Sequence, residues 1–109
     1  MTLELLYLPG CPNHGSAVDL VRNVLQAEGV HVEQTQTPIS SHEEAMTHRF
    51  PGSPTLRING RDVLRIPSGR FEVGFACRTY WINGQPQGLP PRVWVERALR
   101  EASHQETNQ

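Results

Sequence analysis

The sequence predicts a single α/β domain whose four-stranded mixed sheet is flanked by helices. An apolar run near the N-terminus leads through a glycine–cysteine–proline turn into an amphipathic helix, an asparagine–glycine turn signal lies in mid-chain, and a proline pair opens a last helix. The predicted order is βαβ, a short helix, a β-hairpin and a terminal helix. At 109 residues the chain is long enough to build one hydrophobic core.

The first part of the chain has the pattern of strand, helix and strand. Leu3 to Leu8 is a nearly continuous apolar run, as in a strand that is buried on both faces. The helix that follows ends at Gly29 as its C-cap and places its apolar residues on one stripe, namely Ala17, Leu20, Val21, Val24 and Leu25. Val30 to Thr35 alternates and is rich in β-branched residues, which predicts a second strand parallel to the first.

A short second helix is predicted over Ser41 to Phe50. Ser41 stands three positions before Glu44, which is the spacing of a capping box. Pro51 and Gly52 follow and are expected to end the helix.

The second half of the sheet is predicted to be a hairpin. Asn59-Gly60 is the signal of a type I′ turn, and it would join a strand over Thr55–Ile58 to one over Arg61–Ile66. The parallel pair and this hairpin together give the four strands.

A last helix is expected to begin at Pro90-Pro91 and to run through Arg100. The domain would then cover residues 1–102, and the polar residues 103–109 would form a flexible C-terminal tail.

Residues 67–89 form an insertion before the last helix. A connection of this length in a small domain usually has a structure or a function of its own. Residues 70–75 and 79–82 are expected to pair as a small excursion around Cys77, with Asn83-Gly84 turning the chain back.

Composition argues against several classes of partner. The ten basic residues are all arginines and are scattered, and the formal net charge is −1, so nothing favours nucleic acid or a membrane surface. No apolar run approaches the length of about 18 residues that a membrane span needs. With no visible secretory signal and only two cysteines, we expect a soluble cytoplasmic protein whose thiols are reduced at rest. No phosphate-binding or nucleotide motif is present, and no cofactor is expected.

Cys11 is the first candidate for chemistry. A cysteine between a strand and a helix N-terminus lies near unpaired N–H groups that favour the thiolate, and Pro12 is expected to fix it at the helix cap. The alternative is a buried cysteine that packs as a small apolar group. His14 stands where a Cys-x-x-Cys motif would have its second cysteine, so it either assists the thiolate or is a solvated helix residue without a role.

Cys77 is the candidate partner of Cys11. In the predicted topology the segment after the fourth strand leaves the sheet at the end where the Cys11 turn lies. Cys77 is then either a resolving thiol, a second ligand for a soft metal ion, or a residue packed within the insertion.

The chain resembles the thioredoxin-like superfamily over residues 3–102, and more narrowly the small bacterial thioredoxin-fold proteins labelled alkylmercury lyase-like or mercury-resistance-associated. The matching pieces are Pro9-Gly10-Cys11-Pro12-Asn13, Gly52-Ser53-Pro54-Thr55, Asn59-Gly60-Arg61-Asp62, Cys77-Arg78-Thr79-Tyr80 and Gly88-Leu89-Pro90-Pro91. The resemblance implies a thioredoxin fold with an insertion, and thiol redox or thiol–metal chemistry at Cys11.

The resemblance also implies a cis peptide bond before Pro54, beside Cys11. Such a bond would leave the backbone of Ser53 free to pair with an extended peptide or a thiol substrate, so Pro12, Ser53 and Pro54 are expected to form the substrate site. Because the Cys-x-x-Cys pattern is absent, Cys11 cannot close a disulfide within its own turn.

Three functional hypotheses follow. The first is a thiol–disulfide oxidoreductase in which Cys77 or an external thiol such as glutathione resolves the mixed disulfide formed at Cys11, with a protein or glutathione-like substrate. The second is a protein that traps a soft metal ion such as mercury between Cys11 and Cys77. The third is a non-catalytic adaptor that binds an extended segment at the Ser53-Pro54 edge.

Overall fold

Four strands of the chain form one mixed sheet in the computed structural model, which describes residues 1–64 and 73–107. The elements are β1 (Thr2–Tyr7), α1 (His14–Glu28), β2 (Glu33–Pro38), α2 (His42–Thr47), β3 (Thr55–Ile58), β4 (Arg61–Asp62), β5 (Tyr80–Ile82), β6 (Gln85–Gln87) and α3 (Arg92–Thr107). The order in the sheet is β2-β1-β3-β4, and β5 and β6 form a separate hairpin. No helix within the described ranges is long and apolar enough to cross a membrane.

The directions of the strands agree with the predicted topology. β1 runs parallel to β2 and antiparallel to β3, and β3 pairs with β4. Asn59 and Gly60 both have positive φ, 51° and 82°, as the type I′ turn between β3 and β4 requires. β4 is shorter than predicted, because it ends at Asp62 and the next two residues, Val63 and Leu64, lie outside the strand. Residues 65 and 66 lie outside the described residues.

The second strand lies three residues later than the sequence predicts. Its ladder begins where the Glu33 N–H donates to the Met1 carbonyl, and Thr2 pairs with Glu33. Val30 and Val32 instead pack against the core from the loop that enters the strand. The alternating pattern therefore indicated correctly that these two valines face the core. The bounds of the strand are set instead by backbone pairing with β1.

Two apolar clusters cover the two faces of the sheet. On one face, Leu3 and Leu5 of β1 and Leu56 and Ile58 of β3 pack against α1 and α3. On the opposite face, Leu6 packs with residues of α2 and its flanking loops, namely Ile39, Ala45 and Phe50. The alternation of side chains along β1 divides its leucines between these clusters.

The short helix α2 has the predicted N-terminal cap. The Ser41 hydroxyl accepts from the Glu44 N–H at 3.1 Å, and the Glu44 carboxylate accepts from the Ser40 N–H at 2.8 Å. The helix ends at Thr47, before the predicted limit at Phe50, and Arg49 has a positive φ of 51°.

The last helix is longer than predicted. α3 continues through Thr107, so the expected flexible tail from residue 103 is helical over most of its length. Residues 101–107 contain neither proline nor glycine, and alanine, glutamate and glutamine favour the helical state. Residues 108 and 109 lie outside the described part of the chain.

The insertion contains a hairpin, but its second strand follows the Asn83-Gly84 turn, where no strand is predicted from the sequence. Residues 80–82 pair with 85–87, and Asn83 and Gly84 form the turn with φ of 53° and 78°. Residues 73–75 of the expected partner are not in a strand. Residues 70–72 of the expected partner lie outside the described residues. The Asn-Gly signal was correct, whereas Pro86 concealed the returning strand because proline is uncommon within strands.

Candidate functional site

Cys11 lies in a turn between β1 and α1 rather than at the helix cap. Its N–H donates to the Leu8 carbonyl at 2.9 Å, and its own carbonyl accepts from the His14 N–H at 3.2 Å. The N-cap is Asn13, without a side-chain hydrogen bond. Pro12 occupies the second position of the turn from Cys11 to His14, a position that proline favours. The N-cap of the helix is therefore two residues later than Cys11, the predicted cap.

His14 is held by two neighbours. Its ring stacks on Tyr7, with the centroids 3.8 Å apart and the planes within 7°. Its Nε2 lies 2.8 Å from the Gln36 Oε1. The ring is thus oriented by β1 and β2, and it is neither a free solvated side chain nor bonded through Nε2 to the thiol.

The peptide bond between Ser53 and Pro54 is cis, as predicted. Both residues are buried, and the loop leads directly into β3. The Ser53 hydroxyl accepts from the Leu8 N–H at 3.0 Å. Leu8 opens the turn that contains Cys11, so this bond ties the cis-proline loop to that turn.

The backbone of Ser53 is not free for a substrate, and this part of the prediction is wrong. Its N–H donates to the Ala76 carbonyl at 2.9 Å, and its carbonyl accepts from the Arg78 N–H at 2.8 Å. Ser53 and Cys77 form a parallel β-bridge. The chain's own residues 76–78 thus occupy the edge that the sequence had assigned to a bound peptide.

Both cysteines are free thiols, and each lies on a segment that is hydrogen-bonded to Ser53. Cys11 is half-buried in the turn that bonds to the Ser53 side chain, and Cys77 is exposed on the segment that pairs with the Ser53 backbone. The structure therefore places both predicted cysteines around the cis-proline loop, with Cys77 open to solvent.

Two glycines allow the Cys77 segment to approach the cis-proline loop closely. A Cβ on Gly52, whose φ is 139°, would lie 2.9 Å from the Cβ of Arg78. A Cβ on Gly74 would lie 2.9 Å from the Pro51 carbonyl oxygen, and the Gly74 N–H donates to the Phe50 carbonyl. Larger residues at either position would force the two segments apart.

A buried polar cluster behind the loop was not predicted. Nη1 of Arg78 lies 2.8 Å from the Asp62 carboxylate, 3.2 Å from the Thr55 hydroxyl and 3.1 Å from the Tyr80 hydroxyl. The Tyr80 hydroxyl donates to the Pro54 carbonyl at 2.7 Å. Arg78 thereby connects Cys77 to β4 and to the cis-proline itself. The sequence contained one signal for this cluster. In an extended segment residues 78 and 80 face the same side, so burial of Tyr80 would imply burial of Arg78.

Tyr80 is held as a neutral phenol by this cluster. Burial raises the pKa of Tyr80 above its usual range, and the nearby positive charge of Arg78 acts in the opposite direction. The Arg78 guanidinium also lies over the Tyr80 ring, 4.6 Å from its centroid. A neutral hydroxyl can donate to the Pro54 carbonyl, which an ionised one cannot.

The β5–β6 hairpin borders the Cys11 turn. Gly88, at its end, touches Asn13 so closely that a Cβ on Gly88 would overlap the Asn13 amide. Tyr80 also makes an edge contact with Trp94 of α3, at 6.4 Å between the ring centroids. Trp81 points the other way and is 65% exposed.

The described residues contain no group of three or more histidine, cysteine or acidic side chains that could hold a metal ion. A soft ion at this site would therefore depend on the two thiolates. A cavity between β4 and α3, lined by Arg61, Val63 and Arg97 among others, has neither cysteine in its wall.

Comparisons of the chain with protein-family models, with curated proteins and with solved structures returned no match. The resemblance to the thioredoxin-like superfamily and to the mercury-associated proteins stays a prediction.

Proposed function

We propose that the chain is a thioredoxin-like domain that performs thiol–disulfide exchange at Cys11, with Cys77 as its resolving thiol. The observation that supports this most directly is the position of Ser53 beside the cis bond. Its hydroxyl bonds to the turn of Cys11, and its backbone bonds on both sides of Cys77. The β2-β1-β3-β4 order, with a cysteine turn after β1 and a cis-proline before β3, also suits a thioredoxin fold.

The exchange needs only the two thiols and a disulfide substrate. The Cys11 thiolate attacks one sulfur of the substrate, a mixed disulfide forms, and the first substrate thiolate leaves and takes up a proton. The Cys77 thiolate then attacks the Cys11 sulfur, the second substrate thiolate leaves, and a Cys11–Cys77 disulfide remains. The substrate gains two electrons and the protein loses two, which an external dithiol restores.

His14 has a supporting role in this proposal. Because its ring is stacked on Tyr7 and its Nε2 meets Gln36, it fixes the start of α1 directly behind the cysteine turn. This role is positional, and proton transfer at the thiol is not required of it.

The test is to treat the reduced protein with oxidised glutathione and to map its thiols by mass spectrometry without reductant. The wild-type protein should form an internal Cys11–Cys77 disulfide that dithiothreitol reverses. The Cys77→Ser variant should accumulate a mixed disulfide at Cys11, and Cys11→Ser should form no internal disulfide. Two thiols that stay free throughout would contradict the proposal.

Soft-metal capture is the second candidate, and it uses the same two free thiols. Thiolates are the suitable ligands for a soft ion such as Hg²⁺, and two of them suffice for linear coordination. If Hg²⁺ affinity falls sharply in Cys77→Ser while disulfide reduction is unchanged, metal capture is favoured over exchange. The adaptor hypothesis loses its basis, because the Ser53 backbone is already bonded within the chain.

A further inference from the structure

The cis-proline loop has its backbone pairing groups occupied by the chain itself. The Ser53 N–H donates to the Ala76 carbonyl, and the Ser53 carbonyl accepts from the Arg78 N–H. An extended peptide that adds to an edge does so through such N–H and C=O groups. A peptide substrate would have to displace residues 76–78 before it could pair at this loop.

Displacement of these residues is opposed by the buried charge of Arg78. The Arg78 and Asp62 side chains are only 6% and 11% exposed and meet at 2.8 Å. Removing Arg78 from its place would leave the Asp62 carboxylate without its counter-charge in a desolvated site, which is strongly unfavourable. The Tyr80 hydroxyl adds a bond to the Pro54 carbonyl from the same segment.

The segment is also attached to the loop upstream of Cys77. The Gly74 N–H donates to the Phe50 carbonyl at 2.9 Å, and Gly52 and Gly74 let the two backbones approach closely. Attachment on both sides of Cys77 makes residues 74–80 a fixed part of the domain, and the pairing at Ser53 does not depend on one contact.

We infer that the external substrate of Cys11 is a low-molecular-weight disulfide and not an extended polypeptide. This inference rests on the proposed exchange at Cys11 and narrows its substrate class. A small disulfide needs access only to the Cys11 sulfur, and Cys11 is half-buried but open to solvent. The reaction of a small disulfide with Cys11 does not use backbone pairing at the loop, so the occupied loop does not slow it.

The test measures how the rate of exchange depends on peptide length. The protein is reduced Cys77→Ser, in which attack by Cys11 is isolated and the backbone pairing of residue 77 is kept. The probes are symmetric disulfides of one cysteine that is either capped at both ends or flanked by two or four threonine and alanine residues on each side. N-acetylcysteine is the matched control thiol. For each probe, the rate constant of mixed-disulfide formation at Cys11 is divided by the rate constant with which N-acetylcysteine attacks the same probe. This ratio is then compared among the probes.

We expect this ratio to be independent of flank length. A ratio that rises by on the order of tenfold with the longer flanks, as two new backbone hydrogen bonds would produce, would overturn the inference and leave the proposed function standing. A failure of every probe, the capped cystine included, to form a mixed disulfide at Cys11 would instead defeat the proposed function.

A second measurement follows the occupied loop directly. In the mixed disulfide with the longest peptide, the amide protons of Ser53 and Arg78 should keep their protection from hydrogen exchange. Loss of protection at the Arg78 amide, with that of β1 and β3 unchanged, would show that the peptide has replaced residues 76–78, because a peptide paired at the loop would itself accept from the Ser53 N–H. The control is the Gly29 amide, which donates to the Leu25 carbonyl at the end of α1 and is remote in sequence from the loop.

Discussion

Arg78 has more polar partners than any other residue discussed around the cis-proline loop. Its guanidinium meets a carboxylate and two hydroxyls, and its backbone N–H bonds to Ser53. A buried pair of this kind is favourable only while all of its partners are present. The position of Cys77 therefore depends on side chains of β3 and β4.

We predict that Arg78 and Asp62 contribute to stability as a unit. Asp62→Asn should lower the free energy of unfolding by about 3 kcal/mol, because it leaves the Arg78 charge buried without a counter-ion. In the wild type the Leu64 N–H donates to the Asp62 carboxylate at 2.9 Å, and the Asn side chain keeps an oxygen that can accept this bond. Urea unfolding of Asp62→Asn, Arg78→Met and the double variant completes the cycle.

The double variant should lose much less than the sum of the single losses. Additive losses would contradict the pairing, since residues in contact are expected to show an interaction energy. Arg22→Met is the control, because Arg22 pairs with Asp19 at 3.3 Å on the exposed surface of α1, where such pairs contribute little.

At the scale of elements, two glycines in different backbone conformations give opposite expectations. Gly15 is the second residue of α1, and a Cβ there meets nothing within 4 Å. Gly52 has a φ of 139°, and a Cβ there would lie 2.9 Å from Arg78. The first position tolerates alanine, whereas the second requires glycine.

Gly15→Ala should therefore raise the free energy of unfolding by about 0.5–1 kcal/mol, because alanine has less backbone entropy to lose in a helix. Gly52→Ala should lower the free energy of unfolding, because the added Cβ pushes the Cys77 segment from the loop. Thermal unfolding of both variants measures the two changes. Equal effects of the two substitutions would show that Gly52 is not a point of close approach.

The elements that local signals define were predicted well from the sequence. The apolar stripe of α1, the Ser41 cap of α2 and the Asn59-Gly60 turn have the expected form. The cis bond before Pro54, which the resemblance implied, is also present. These features depend on a few neighbouring residues or on one short motif, so the sequence contains most of what decides them.

Features that depend on pairing between distant segments could not be predicted in the same way. β2 is shifted because its register with β1 is set by long-range hydrogen bonds. Residues 76–78 pair with Ser53 across more than twenty positions, and no periodic pattern records such a bridge. The candidate cysteines were identified from their residue type, but the occupied loop between them was visible only in the folded chain.

For the molecule as a whole, the dependence of stability on pH should include a contribution from Tyr80. Burial raises the pKa of Tyr80 in the folded state, so its stabilising contribution is complete below the unfolded value of about 10 and is lost as pH rises above it. The unfolded chain releases the phenol proton first, which favours unfolding by about 1.4 kcal/mol per pH unit in that range.

We expect the free energy of unfolding of the wild-type protein to fall relative to that of Tyr80→Phe as pH rises from about 9 to about 11. Urea unfolding of both proteins at several pH values measures the difference. Tyr7→Phe is the control, because Tyr7 is only half-buried. A difference between wild type and Tyr80→Phe that stays constant over this range would contradict a protonated, buried Tyr80.

The two tryptophans give the molecule an optical reporter of the Cys77 segment. Trp94 touches Tyr80 at its ring edge and is half-buried, whereas Trp81 is 65% exposed. If residues 76–80 left the cis-proline loop, the emission of Trp94 should shift to the red as its surroundings became more aqueous, while that of Trp81 would stay near its solvent value. An emission spectrum of the unlabelled protein that stays constant through a redox cycle is therefore expected for a segment that remains in place.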